Sequence, residues 1–114
     1  MVEIDLVDDI PVASLSGDID MANVGAIEQQ VADGVSNDAY SVVLDLSAVT
    51  YLDSAGIRML FQMSSQLVGR RRRFAVVIPE DSQIRRTLGA AGVYESLTIT
   101  ATREQAIEIA RSAD

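Results

Sequence analysis

The sequence predicts an α/β domain built on a mixed, mostly parallel sheet of about five strands with about four helices, in the order β-β-α-β-α-β-α-β-α. Near-continuous apolar runs at Val42 to Leu46 and Phe74 to Ile78 have the character of strands buried on both faces. Each is followed by a stretch whose apolar residues recur at helical spacing. Strand-helix-strand units of this kind call for parallel neighbours joined by right-handed crossovers.

Val2 to Val7 and Pro11 to Leu15 read as short strands separated by the acidic turn Asp8-Asp9, and they are expected to add an antiparallel edge. Gly17-Asp18-Ile19-Asp20 breaks the strand pattern. Met21 to Val35 carries Val24, Ile27, Val31 and Val35 on one helical stripe, with Asp20 or Asn23 as its cap. Ser36-Asn37-Asp38 is a turn, and Tyr40 to Leu46 is the strongest strand. A short loop then leads to a second helix, Ser54 to Val68, stopped by Gly69. Phe74 to Ile78 is a strand closed by Pro79. Asp81 or Ser82 can cap a short helix carrying Ile84 and Leu88, with Gly89 as its stop. Ser96 to Thr100 is the last strand. Thr102-Arg103-Glu104-Gln105 has capping-box spacing and opens a final helix with Ala106, Ile109 and Ala110. The span 1–114 reads as one domain.

Composition removes several kinds of chemistry. The chain has no cysteine, so disulfides and thiolate zinc sites are out. It has no histidine, which removes Ser-His and Cys-His nucleophile pairs and the commonest general base. No metal site and no cofactor is assigned. A net charge of −8 repels phosphate backbones, so no nucleic-acid partner is expected. The run Arg70 to Arg73 follows a helix end, where cations complement the dipole, and reads as a solvated turn. No apolar run approaches the roughly 20 residues that span a bilayer, and the acidic start is unlike a signal peptide. No membrane partner is expected, and cytosol is the natural compartment.

The stretch that carries chemistry is Leu44-Asp45-Leu46-Ser47-Ala48-Val49-Thr50-Tyr51-Leu52-Asp53-Ser54-Ala55-Gly56-Ile57. A buried strand leaves the sheet and Asp53-Ser54-Ala55-Gly56 opens a helix. In open α/β sheets, sites collect at the carboxyl ends of strands. Asp53 stands at the N-cap and Ser54 in the first turn, where a phosphate on its hydroxyl would meet the positive end of the helix. The plain alternative is a cap followed by an ordinary polar residue. Gly56 argues against it. Glycine inside a first turn costs about 1 kcal/mol against alanine, so it implies the close approach of another backbone.

These residues resemble the STAS domain of bacterial anti-sigma factor antagonists. The resemblance runs through Gly17-Asp18-Ile19-Asp20, Val42 to Leu46, Tyr51-Leu52-Asp53-Ser54-Ala55-Gly56, Phe74 to Ile78, and Leu88-Gly89-Ala90-Ala91-Gly92-Val93. It implies a protein that is switched rather than one that catalyses. Ser54 would be phosphorylated by an anti-sigma factor that is a serine kinase, and a serine phosphatase would reset it. The unphosphorylated form would bind the anti-sigma factor and free a sigma factor. The family often has a second serine where this chain has Ala55, which leaves Ser54 as the one acceptor of the motif. Asp20, Asp53 and Gly56 carry over by position to the partner-facing surface. The rival within the same fold is an adaptor or scaffold subunit that binds its partner constitutively. A monomer or weak dimer is expected.

The second helix adds contact candidates. At about 100° per residue, Ile57, Leu60, Phe61, Ser64, Leu67 and Val68 form one core stripe. Met59 then lies outward with Ala55, Gln62 and Gln66, so Ala55, Met59 and Gln62 join the candidate partner surface. Ser54-Ala55-Gly56 is not a hydrolase elbow, which needs glycine where Leu52 stands and a histidine besides.

Overall fold

A computed structural model of the chain describes residues 2–36, 39–69, 71–90 and 97–111. Features expected at Asn37-Asp38, Arg70, Ser96 and Ala91 to Val93 lie outside the described residues, as do the side chains of Val68 and Ala90.

Five strands lie side by side in sequence order: β1 (Val2–Val7), β2 (Ile10–Ile19), β3 (Ser41–Leu52), β4 (Arg73–Val77) and β5 (Ile99–Thr100). β1 is the antiparallel edge, and every later pairing is parallel. The β1–β2 hairpin turns on Asp8 and Asp9, both at positive φ (52° and 67°). Two such residues make the turn whose twist suits a tight hairpin. Between the parallel strands run α1 (Val24–Gly34), α2 (Ser54–Gly69) and α3 (Gln83–Ala90), and α4 (Arg103–Arg111) closes the chain.

The sheet advances in one direction from β2 to β5. Right-handed crossovers therefore set α1, α2 and α3 on one face. There Ile27, Val31, Met59, Leu60, Ile84 and Leu88 pack on Ala13, Leu15, Leu44, Leu46 and Val76. α4 covers the other face, where Ala106, Ile107 and Ala110 meet Val12, Val43, Ala75 and Val77. The final helix thus buries Ile107, and Ile109 is only half-buried, one position off the expected stripe. Its capping box is complete. Thr102 Oγ1 accepts the Gln105 N–H (3.2 Å), and Gln105 Oε1 accepts the Ala101 and Thr102 N–H groups (3.0 and 3.3 Å). Arg111, in its last turn, pairs with Asp8 of the hairpin.

Two strands run further than their apolar pattern indicates. β2 continues through Gly17, at φ +82°, to Ile19, and β3 continues to Leu52 with no loop before Asp53. The register shifts twice, between Ser14 and Ser16 and between Gly17 and Asp18 of β2. Each shift gives β3 an extra residue, a β-bulge, so its buried positions step from Leu46 to Val49 to Leu52. Alternation is lost while pairing persists, which is why a period-two reading stops early.

Helix ends also differ. α1 begins at Val24 rather than Met21. Asn23 at its N-cap makes no side-chain capping bond, and Met21 to Asn23 form a turn. Gly69 lies within the last turn of α2. The left-handed residue is Arg71 (φ 60°), and the Arg72 N–H donates to the Leu67 carbonyl (2.8 Å), a Schellman-type closure. Ser82 caps α3, its Oγ accepting the Ile84 N–H (3.1 Å). Gly89 is still inside that helix.

Under α4, Asp45 is buried and held by Arg103 through Nε and Nη2 (3.0 and 2.8 Å). Ser47, within the first bulge, donates its N–H and hydroxyl to the other carboxylate oxygen (2.8 and 2.6 Å). Burial pushes the Asp45 carboxyl up, but the Ser47 donors and Arg103 outweigh it and hold the carboxyl below its usual 3.8. A depressed carboxyl contributes stability above its unfolded value, and that stability is lost as pH falls through the folded one. Arg103→Gln is therefore expected to destabilise the protein at pH 7 by about 1–3 kcal/mol, from the lost charged hydrogen bonds. The gap from wild type should shrink once the pH is below 3.8. Urea unfolding at both pH values measures it.

Candidate functional site

The parallel pairing of β2 with β3 brings their carboxyl ends together. Ile19 pairs with Leu52, and the Asp53 N–H donates to the Ile19 carbonyl (3.2 Å). The loop after β2 and the start of α2 are therefore neighbours.

Asp53 ties the two together. Its Oδ1 accepts the N–H groups of Ala55 (2.9 Å) and Gly56 (3.1 Å), which caps α2. Its Oδ2 accepts the Met21 N–H (3.2 Å) from the loop after β2. Asp20 shapes that loop. Its Oδ1 accepts the Ala22 N–H (2.9 Å), and its carbonyl accepts Asn23 and Val24. Asn23 Oδ1 accepts the Asp20 N–H (3.0 Å), and its amide donates to the Asp18 carbonyl (2.8 Å). Asp18 is anchored to β3 by the Thr50 hydroxyl (2.6 Å). Neither Asp18, Asp20 nor Asp53 has an ion-pair partner among the described residues.

Ser54 is the first residue of α2 and is exposed. The Ala55 and Gly56 donors behind it are already taken by Asp53. A group attached to its hydroxyl would stand out from the helix end. Arg58, one turn on, is exposed as well.

Gly56 is buried, and the close approach it permits is to side chains rather than to another backbone. A Cβ there would overlap Leu52 Cδ1 and stand 3.0 Å from Leu52 Cγ and 3.2 Å from Ile19 Cγ2. Leu52 and Ile19 are themselves buried (3% and 0% exposed) and cannot give way freely. The helix therefore lies down on the face that contains residue 56.

That contact widens the expected helical stripe. Ile57, Leu60, Phe61 and Leu67 pack on the core as expected, but residues 56, 59 and 63 join them, and Met59 is fully buried (0% exposed). Met59 is thus a core residue and not a contact on the outer face. Gln62 and Gln66 are exposed as expected, and Ala55 is half-buried. Asp20, Asp53 and Ser54 come together at one end of the sheet, while Gln62 lies two turns along α2. Asp45 belongs to the opposite face, under α4, and does not join this site. The resemblance puts Asp18 in the partner-facing Gly17-to-Asp20 loop without a bracing role; sequence reasoning missed Thr50, which braces it, and Met21 and Tyr51, which stand out at this end (79% and 53% exposed). The bulges that break alternation along β3 hide the outward placing of Tyr51. Nothing local marks Met21. Among the described residues, no group of three or more metal-ligating side chains is placed to hold an ion.

A family model described as the STAS domain matches residues 1–106. The anti-sigma-F factor antagonist RsfB of Mycobacterium tuberculosis is 30% identical over 98 residues, 86% of this chain and 79% of the relative. The crystal structure of an anti-sigma factor antagonist from Mycobacterium paratuberculosis superposes with a TM-score of 0.87 at 30% identity, covering 97% of this chain and 93% of that one. The Bacillus protein SpoIIAA, an anti-sigma factor antagonist in its unphosphorylated form, superposes at 0.75 with 17% identity, over 98% and 97% of the two chains, a likeness of fold.

Two substitutions test the local construction. Gly56→Ala is expected to cost about 1–3 kcal/mol by overpacking, although alanine is the better helix former. Asp53→Ala is expected to cost about 1–2 kcal/mol through loss of the cap, and Asp53→Asn much less. Chemical unfolding measures both. Amide exchange at Met21 reports the loss of its bond to Asp53.

Proposed function

The chain belongs to the STAS domain family, and on that premise we propose that it is an anti-sigma factor antagonist switched by phosphorylation of Ser54. The unphosphorylated protein binds an anti-sigma factor with serine kinase activity and so frees a sigma factor. Phosphorylated, it lets go, and a serine phosphatase restores it. It acts in the cytoplasm as a substrate of enzymes rather than as one.

The observation that carries this reading is the setting of Ser54. It is an exposed hydroxyl at the first position of a helix, beside a carboxylate that already occupies the first-turn donors. The relatives named as anti-sigma factor antagonists support the partner class. In the transfer, Ser54 Oγ forms a bond to the γ-phosphorus of ATP held by the partner. The bond from that phosphorus to the bridging oxygen of ADP breaks, and the hydroxyl proton passes to a base of the kinase. The phosphate adds about −1.5 to −2 charges at neutral pH. They fall on an end that already carries Asp18, Asp20 and Asp53. A loss of about 1.4 kcal/mol is tenfold in affinity, so a local change suffices and the sheet need not rearrange.

The test uses purified anti-sigma factors encoded by the host. Incubation with a cognate kinase and ATP should add one phosphate by intact-mass spectrometry, absent in Ser54→Ala. Ser54→Ala should bind like the unphosphorylated protein, and Ser54→Asp at least about tenfold more weakly. Equal affinities for the two variants would favour a constitutive adaptor instead.

A further inference from the structure

Among the described residues, four large apolar side chains stand out from the surface: Leu6, Met21, Tyr40 and Tyr51. Leu6 and Tyr40 lie at the end of the sheet where β2 and β3 begin. Met21 and Tyr51 lie at the other end, around the Asp53-Ser54 turn. The Met21 N–H is bound to Asp53 Oδ2 (3.2 Å), and Tyr51, two residues before Asp53, is in register with Asp18. Asp18, Asp20 and Asp53 lie at the same end without ion-pair partners among the described residues.

A lone exposed apolar side chain is ordinary. Two of them, 79% and 53% exposed, one bonded through its N–H to Asp53 and the other in register with Asp18, share one end of the sheet with the exposed Ser54 and three carboxylates, a composition that suits a docking surface of apolar centre and charged rim. Resting on the reading above, we propose that Met21 and Tyr51 are the apolar anchors of this surface, and that its occupant is an anti-sigma factor whose docking face is an apolar cleft rimmed by Arg and Lys. Charge complementarity selects that rim, because an acidic or neutral one would leave the negative charge of Asp18, Asp20 and Asp53 unmatched.

This anatomy also says how a phosphate releases a partner that accepts carboxylates. Charges at the rim stay hydrated and attract a basic face. Ser54 lies at the anchors, where docking strips water away. A phosphorylated Ser54 would have to shed its hydration there, a cost far above that for a hydroxyl. Salt screens the rim attraction, but it does not remove the dehydration cost.

Titration calorimetry of the full chain against the purified anti-sigma factors of its host tests this. It is run at about 0.1 M and about 1 M salt, where the screening length falls from about 10 to about 3 Å. Met21→Ser and Tyr51→Ser are each expected to weaken binding at least about tenfold at both salt concentrations. Leu6→Ser and Tyr40→Ser, at the other end, should bind as wild type. Wild-type affinity should fall with salt, while the deficit of Ser54→Asp relative to wild type persists. Thermal unfolding checks that each variant is folded. If wild type binds and both Met21→Ser and Tyr51→Ser bind equally well, the anchors are overturned and the antagonist reading stands. A Ser54→Asp deficit that vanishes at high salt overturns the dehydration mechanism. If no host anti-sigma factor binds wild type, the antagonist reading falls, and this inference falls with it.

Discussion

The contact between residue 56 of α2 and the side chains of Leu52 and Ile19 sets the geometry of the end of the sheet where Ser54 lies. No Cβ fits there, so the first turn of α2 drops onto the ends of β2 and β3. The rotation of the helix follows from that seat. Met59 and Leu60 go into the core, and Gln62 and Gln66 stay outside. The seat also brings Asp53 within reach of the loop after β2, so one carboxylate can close the helix and hold Met21. Glycine is a weak helix former, and its cost is offset by the packing it allows.

The sheet separates two duties. Its α4 face carries the buried pair of Asp45 and Arg103, reinforced by Ser14 and Ser47. That pair joins β2, β3 and α4 and serves the fold. The other face delivers the starts of α1 and α2 to one end. The acidic residues there belong to exposed or half-buried positions and take up local backbone or hydroxyl donors. The two groups of aspartates differ in environment. Asp45 must be paired because it is buried. Asp18, Asp20 and Asp53 are exposed or half-buried and are held by hydroxyl or backbone donors, with no ion pair among the described residues.

In the proposed reading, a switch at this helix start needs no hinge. The donors behind Ser54 are occupied, so a phosphoryl group added there projects from the surface instead of reorganising the turn. In the proposed reading, the signal is a change in what a partner must dehydrate and tolerate. The β-bulges contribute indirectly. They lengthen β3 relative to β2, set Thr50 against Asp18, and bring Leu52 under Gly56.

The order of elements, the antiparallel edge, the parallel core and the capping box at Thr102 to Gln105 were legible in the sequence. Each depends on local spacing and on a few residues with strong preferences. The Asp53-Ser54-Ala55-Gly56 helix start was legible for the same reason: cap, hydroxyl and glycine are adjacent in the chain. Met59 was not, because helical spacing defines a stripe only once one residue is known to face inward, and Gly56 takes that role through contacts with Ile19, 37 positions away in sequence. The full lengths of β2 and β3 were hidden by bulges, which keep the pairing while breaking the alternation. The exposure of Met21 and Tyr51 beside Ser54 was equally out of reach. By itself the sequence determined which elements form and where a phosphate could be placed. Only the tertiary structure decided which side chains surround that place, because β2 and β3 meet there through pairings that no local pattern encodes.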